Sequence, residues 1–181
     1  MELAGEPNKN VLVCLGGAGG REVTPKEEAD YLGHLKYEFD SLYVLTEMIQ
    51  SRRFMRHPLD SFLLECCLAH FRVIWDFFYL AESNALNVRA FLAGSEVRAT
   101  RPKQPSRLRA LRDGVNSDVV HLGLARIRAE RKAQAPTMHD IAAIREHVRA
   151  LYCYFTGELP DPQKSLLVNP LAHKFRDFET L

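Results

Sequence analysis

PLDSFLLECCLAHFRVIWDFFYL, residues 58–80, is the stretch on which the fold turns. Leu59, Phe62, Leu63, Cys66, Leu68, Val73, Ile74, Trp75, Phe77 and Phe78 recur at helical spacing and make the segment apolar over most of its circumference. Such a helix needs neighbours on several sides, so it is expected at the centre of the molecule. His70, Arg72 and Asp76 interrupt the run, which therefore falls short of the ~18 apolar residues of a membrane span. Its polar residues are not scattered. At about 100° per residue, Glu65, Arg72 and Asp76 fall within about 40° of one another and form one narrow stripe.

Helical signals extend to both sides of this rod. Thr24-Pro25-Lys26-Glu27 reads as an N-terminal capping box with proline at the first helical position. Tyr31, Leu35, Leu42, Leu45 and Ile49 then mark a buried face to about Ser51. A shorter helix is expected over 83–93, ended by Gly94. Residues 95–105 read as a basic loop with two prolines. Ser106 is placed to cap a further helix with Leu108, Leu111, Val115, Val119 and Leu122 on its inner side. Thr137 and Asp140 signal the last long helix, whose apolar face is Ile141, Ile144, Val148, Leu151 and Phe155. Pro160 and Pro162 break the pattern, and Asn169-Pro170 could open a final turn. The expectation is an all-α fold, a four- or five-helix bundle. It comprises a flexible N-terminal leader over 1–23, the bundle over 24–156, and a C-terminal extension over 157–181 with a short helix.

Composition narrows the class. Hydrophobic residues are 46% and charged residues 26%, an ordinary globular mixture rather than a disordered one. Glu2 and Glu6 stand where a secretion signal would carry bases. Cys14, Cys66, Cys67 and Cys153 show no disulfide or zinc spacing, so they read as free thiols of a reducing, cytoplasmic compartment. Gly16, Gly17, Gly19 and Gly20 lack the Lys-Ser/Thr of a phosphate loop. The net charge of +1 hides an asymmetry: residues 97–132 hold Arg98, Arg101, Lys103, Arg107, Arg109, Arg112, Arg126, Arg128, Arg131 and Lys132 against Asp113, Asp118 and Glu130. A cationic face of this kind can meet a polyanion.

Two regions could carry chemistry. Arg72, among apolar neighbours, needs a counter-charge, and Asp76 one turn on can supply it. The segment Arg112-Asp113-Gly114-Val115-Asn116-Ser117-Asp118-Val119-Val120-His121 adds a histidine that titrates near neutrality and a side-chain amide that can orient a ligand. The same groups also read as a structural ion network beside a hydrogen-bonded core histidine. Asp30, His34 and Glu38 share one face of the first helix and Cys66 and His70 share one of the second. With no Glu-x-x-His pair, they read as a solvated face and a buried pair rather than metal sites, and no metal or cofactor is expected.

The stretch Leu68-Ala69-His70-Phe71-Arg72 followed by Asp76-Phe77-Phe78-Tyr79 resembles a helix of bacterial HEPN-like proteins (higher eukaryotes and prokaryotes nucleotide-binding). Residues 115–122, VNSDVVHL, resemble the polar-then-histidine segment of that family's late helix. The resemblance implies a helical bundle, often dimeric, that binds or cleaves RNA. It implies His121, Arg72 and Asn116 as catalytic residues, with Arg112, Arg126 and Asp76 on the substrate side. The family's active members place the histidine four to six residues beyond the arginine. Here eight residues separate Arg112 from His121, which points them in directions about 180° apart on a straight helix. Two readings follow. One is an RNA- or nucleotide-binding bundle, as a weak or degenerate ribonuclease. The other is a non-catalytic helical module for protein interaction or dimerisation, with its interface on the second helix and on Tyr152, Tyr154 and Phe155 of the last. A homodimer is the expected assembly and a membrane is not an expected partner.

Overall fold

A computed structural model describes residues 24–51, 59–80, 87–92, 101–118 and 136–167, and of Asp60, Arg89 and 115–118 the backbone alone. Among the described residues there are helices and no strands. The long ones are α1 (Pro25–Gln50), α2 (Leu59–Tyr79), α4 (Ser106–Asp118) and α5 (Met138–Glu158). Two short ones, α3 (Val88–Phe91) and α6 (Asp161–Leu167), follow α2 and α5. No described helix is long and apolar enough to cross a membrane.

The caps form as the sequence predicts. The Glu27 amide donates to Thr24 Oγ1 at 3.2 Å while the Thr24 amide donates to the Glu27 carboxylate at 3.0 Å. Thr137 and Asp140 repeat the exchange at the start of α5, at 3.2 and 2.8 Å. Each reciprocal pair satisfies two of the donors that a helix start leaves without an intrahelical partner.

α2 occupies the centre, packed by α1, α4, α5 and α3. Phe71, Ile74, Trp75, Phe77 and Phe78 are buried on its inner side. Phe77 and Phe78 meet Phe155 of α5 edge to face at 5.3 and 5.7 Å, and Phe91 of α3 joins at 6.0 Å from Phe155. These offset geometries suit the aromatic quadrupole and tie three helices at one point. All five apolar residues expected on α5 are buried.

Several expectations are corrected. The buried row of α1 is Leu32, Leu35, Phe39, Leu42, Thr46 and Ile49, with Tyr31 and Leu45 at its flank. Helical spacing admits both rows, and the positions of α2 and α5 select one. Ser106 is the first residue of α4 rather than its cap, because the first backbone bond runs from Arg109 to the Pro105 carbonyl. Pro160 and Pro162 open a helix instead of ending structure. The Lys164 amide bonds to the Pro160 carbonyl, and proline is tolerated in a first turn, where amides lack partners anyway. α6, expected within an extension, packs on α1 with Leu167 fully buried. Phe155 is buried and Tyr152 donates to the Leu167 carbonyl at 3.0 Å. Phe155 and Tyr152 therefore serve the core and α6, while Tyr154 is half-buried beside the core. The leader over 1–23 and the turn after Asn169 lie outside the described residues.

Candidate functional site

The polar stripe of α2 meets α4 at Asp76. Arg112 of α4 approaches Asp76 Oδ1 with Nε at 2.7 Å and Nη2 at 2.7 Å. Arg72, one turn before Asp76, holds its other oxygen through Nε at 3.5 Å. Arg112 also reaches Asp113 at 3.2 Å through Nη1. The pairing expected between Arg72 and Asp76 is therefore present, but the shorter bonds come from a different helix. Arg112 is only 13% exposed, and its guanidinium is directed at protein carboxylates.

Three of the six expected site residues, Arg72, Asp76 and Arg112, thus come together. The side chain of Asn116 lies outside the described residues, as do His121 and Arg126 entirely. What the described trio can do chemically is limited. Two guanidinium groups clamp one carboxylate, which links α2 to α4.

Two further arginines of the basic region, Arg101 and Arg107, are also engaged within the chain. Arg101 donates to the Phe78 carbonyl at 2.6 Å and lies over the Tyr79 ring at 4.9 Å, so it completes the C-terminal end of α2. Arg107 forms a two-pronged contact with Asp140, Nε to Oδ1 and Nη2 to Oδ2 at 2.8 Å each. These hydrogen bonds, with those from Thr137, hold the buried Asp140 carboxyl well below the usual carboxylate range despite burial. Arg107 thereby fastens α4 to the start of α5.

A second cluster, which no spacing in the sequence announces, surrounds Tyr79. Its hydroxyl donates to the Pro102 carbonyl at 2.8 Å, and its oxygen lies 3.0 Å from His147 Nε2. With the phenol hydrogen given to Pro102, His147 donates from Nε2, which selects that tautomer of the neutral ring. Trp75 packs on both rings, 4.6 Å from Tyr79 and 5.7 Å from His147. Burial raises the Tyr79 phenol to about 12 and lowers the His147 imidazole. Both stay neutral at ordinary pH and act as hydrogen-bonded wedges between α2 and α5.

Glu38 of α1 is turned to His70 of α2, with Oε2 and Nδ1 2.6 Å apart. It does not join Asp30 and His34, and the described residues hold no group of three or more metal-ligating side chains. Arg145 of α5 bonds Gln50 at 2.9 Å and the Tyr43 hydroxyl at 2.7 Å and pairs with Glu47, all on α1.

The most unusual surface lies beside these networks. Phe62 is 61% exposed, Val73 47% and Leu59 42%. Ala69 is exposed and Cys66 half-exposed between them. The five follow one another at intervals of three, four, three and four residues, so they form a single ridge along the outer side of α2. Tyr37 of α1, 60% exposed, extends it by stacking edge-on against His70 at 5.7 Å. Comparison of the chain with protein-family models, with curated proteins and with solved structures finds no match.

Proposed function

We propose that this bundle is a non-catalytic interaction module whose contact surface is the outer face of α2. One observation carries the reading: an unbroken apolar ridge from Leu59 to Val73, with Phe62 at its most exposed point. Singly exposed apolar residues are ordinary on any protein, but a row at seam spacing is the pattern by which helices recognise other helices. Five of the described guanidinium groups support the same reading from the other side. Those of Arg72, Arg101, Arg107, Arg112 and Arg145 are engaged by carboxylates, carbonyls or rings of the same chain. A phosphate would have to compete with those partners.

Photocrosslinking in the cells that make the protein tests this. A benzophenone amino acid at Phe62 or Val73 should form adducts with protein, and one at Arg109, exposed on α4, should not. Adducts at neither ridge position overturn the reading.

The charge excess of residues 97–132 favours a second reading, RNA binding through this region. Affinity would then fall steeply with salt, because released counterions drive such binding. RNA captured at Arg109, together with a steep salt dependence in filter binding, establishes that reading instead.

A further inference from the structure

We infer that residues 101–105 form an acid-sensitive clasp, held on the end of α2 through Tyr79 and released when His147 takes up a proton. The inference does not depend on the α2 ridge. Two contacts seat the clasp. Arg101 donates to the Phe78 carbonyl at 2.6 Å, and the Tyr79 hydroxyl donates to the Pro102 carbonyl at 2.8 Å. Arg101 and Pro102 are half-buried, whereas Lys103, Gln104 and Pro105 are exposed. The segment is thus anchored at its first two residues and leads directly into α4. His147 reaches the same hydroxyl from α5. Its Nε2 lies 3.0 Å from the Tyr79 oxygen, and the two rings are stacked at 6.0 Å with 13° between their planes.

The neutral ring suits this position, with Nε2–H donating to Tyr79 and no hydrogen on Nδ1. A second proton disturbs it in three ways. It puts a charge in a half-buried place. It adds an N–H at Nδ1 that calls for water or an acceptor. It also sets a cation beside Arg101, whose guanidinium lies over the same Tyr79 ring at 4.9 Å. The surrounding charges do not offset this. Asp140, two turns earlier on α5, is taken by Arg107 of α4, and Asp76 of α2 by Arg72 and Arg112. Glu146 and Arg149 flank His147 on α5 as one exposed charge of each sign. Among the described residues no carboxylate pairs with His147, and burial lowers its imidazole. The closed clasp therefore favours the neutral ring. Closing is strongest above the ordinary imidazole range, near about 6.5, and weakens as pH falls below it, because the open form takes up the proton more readily. Opening gives the imidazolium to water and frees Arg101.

Two measurements on the full chain test this. Trp75 is the only tryptophan of the chain and packs on both rings, and an imidazolium quenches a neighbouring indole. Its fluorescence should fall on acidification, with a midpoint below the ordinary imidazole value. His147→Gln, whose neutral amide can still donate to Tyr79, should abolish that transition. Hydrogen exchange, corrected for the intrinsic effect of pH, reads the clasp itself. A peptide covering 101–112 includes the Arg109 amide, which bonds to the Pro105 carbonyl. Its protection should be lower than that of α1 and should fall at least about threefold between about pH 7.5 and 5.5, as a local opening requires. In His147→Gln the protection should hold at both pH values. Tyr79→Phe removes the hydroxyl that Pro102 and His147 share, and should give the low protection at both. Circular dichroism matching the parent's shows that the variants fold. Protection of 101–112 that survives acidification in the parent, or that falls equally in His147→Gln, overturns the clasp. So does a Tyr79→Phe chain protected like the parent at the higher pH. Loss at the same level as α1 and in step with it also overturns the clasp, because His147 then titrates only with unfolding of the whole bundle.

Discussion

Asp76 shows how one carboxylate can hold two helices. It draws Arg112 from α4 and Arg72 from its own helix. Removing it leaves both guanidinium groups facing a site without its anion. Asp76→Ala is expected to cost about 2 kcal/mol in urea unfolding, less than a fully buried network because water still reaches Arg72. A loss below about 0.5 kcal/mol shows that the cluster contributes nothing beyond surface pairing. His147 makes a pH prediction. Burial depresses its folded-state pKa, so the unfolded chain takes up the proton first as pH falls. Stability therefore rises with pH up to the ordinary imidazole range, near about 6.5, and this contribution is flat above it. Denaturation curves between pH 5 and 8 should show that rise, and His147→Gln should flatten it. An unchanged pH profile in the variant assigns the dependence to other groups.

At the scale of elements, local chemistry and helix packing can be separated by substitution. Thr137 caps α5 through the Asp140 amide, so Thr137→Ala should cost about 1 kcal/mol in chemical denaturation. Gly33 lies inside α1, and a methyl group there would meet nothing within 4 Å. Gly33→Ala should accordingly raise stability by up to about 1 kcal/mol, through lower backbone entropy of the unfolded chain and better helix propensity. A melting temperature that falls instead points to a contact on that face of α1. The Thr137 cap was legible beforehand, because a cap acts through neighbours within one turn. α6 was not, since proline reads as a breaker until it is seen to occupy a first turn. Ser106 misled for a related reason: serine suits a cap, but the backbone bond to Pro105 places the start of α4 one residue earlier.

For the whole molecule, association and stability should be coupled. If the ridge pairs with itself, the melting temperature should rise with protein concentration, because the dimer forms only from folded chains. Phe62→Glu should remove that dependence and leave the value at high dilution unchanged; a dependence that persists places the interface elsewhere. The all-α architecture, the main helices and the caps of α1 and α5 were determined by the sequence alone. They rest on periodicity, capping residues and helix propensity, all of which act within a few positions along the chain. The approach of Arg72 to Asp76 belongs to the same class, since one turn separates them. Only the tertiary structure decided that Arg112 is the closer partner of Asp76, that Arg107 serves Asp140, and that Tyr79 meets His147 68 positions away. It also decided which apolar residues of α2 face the core and which form the outer ridge. A helix apolar on most sides carries no internal mark of the side its neighbours leave open, because that choice is made by the packing of α1, α4 and α5 around it.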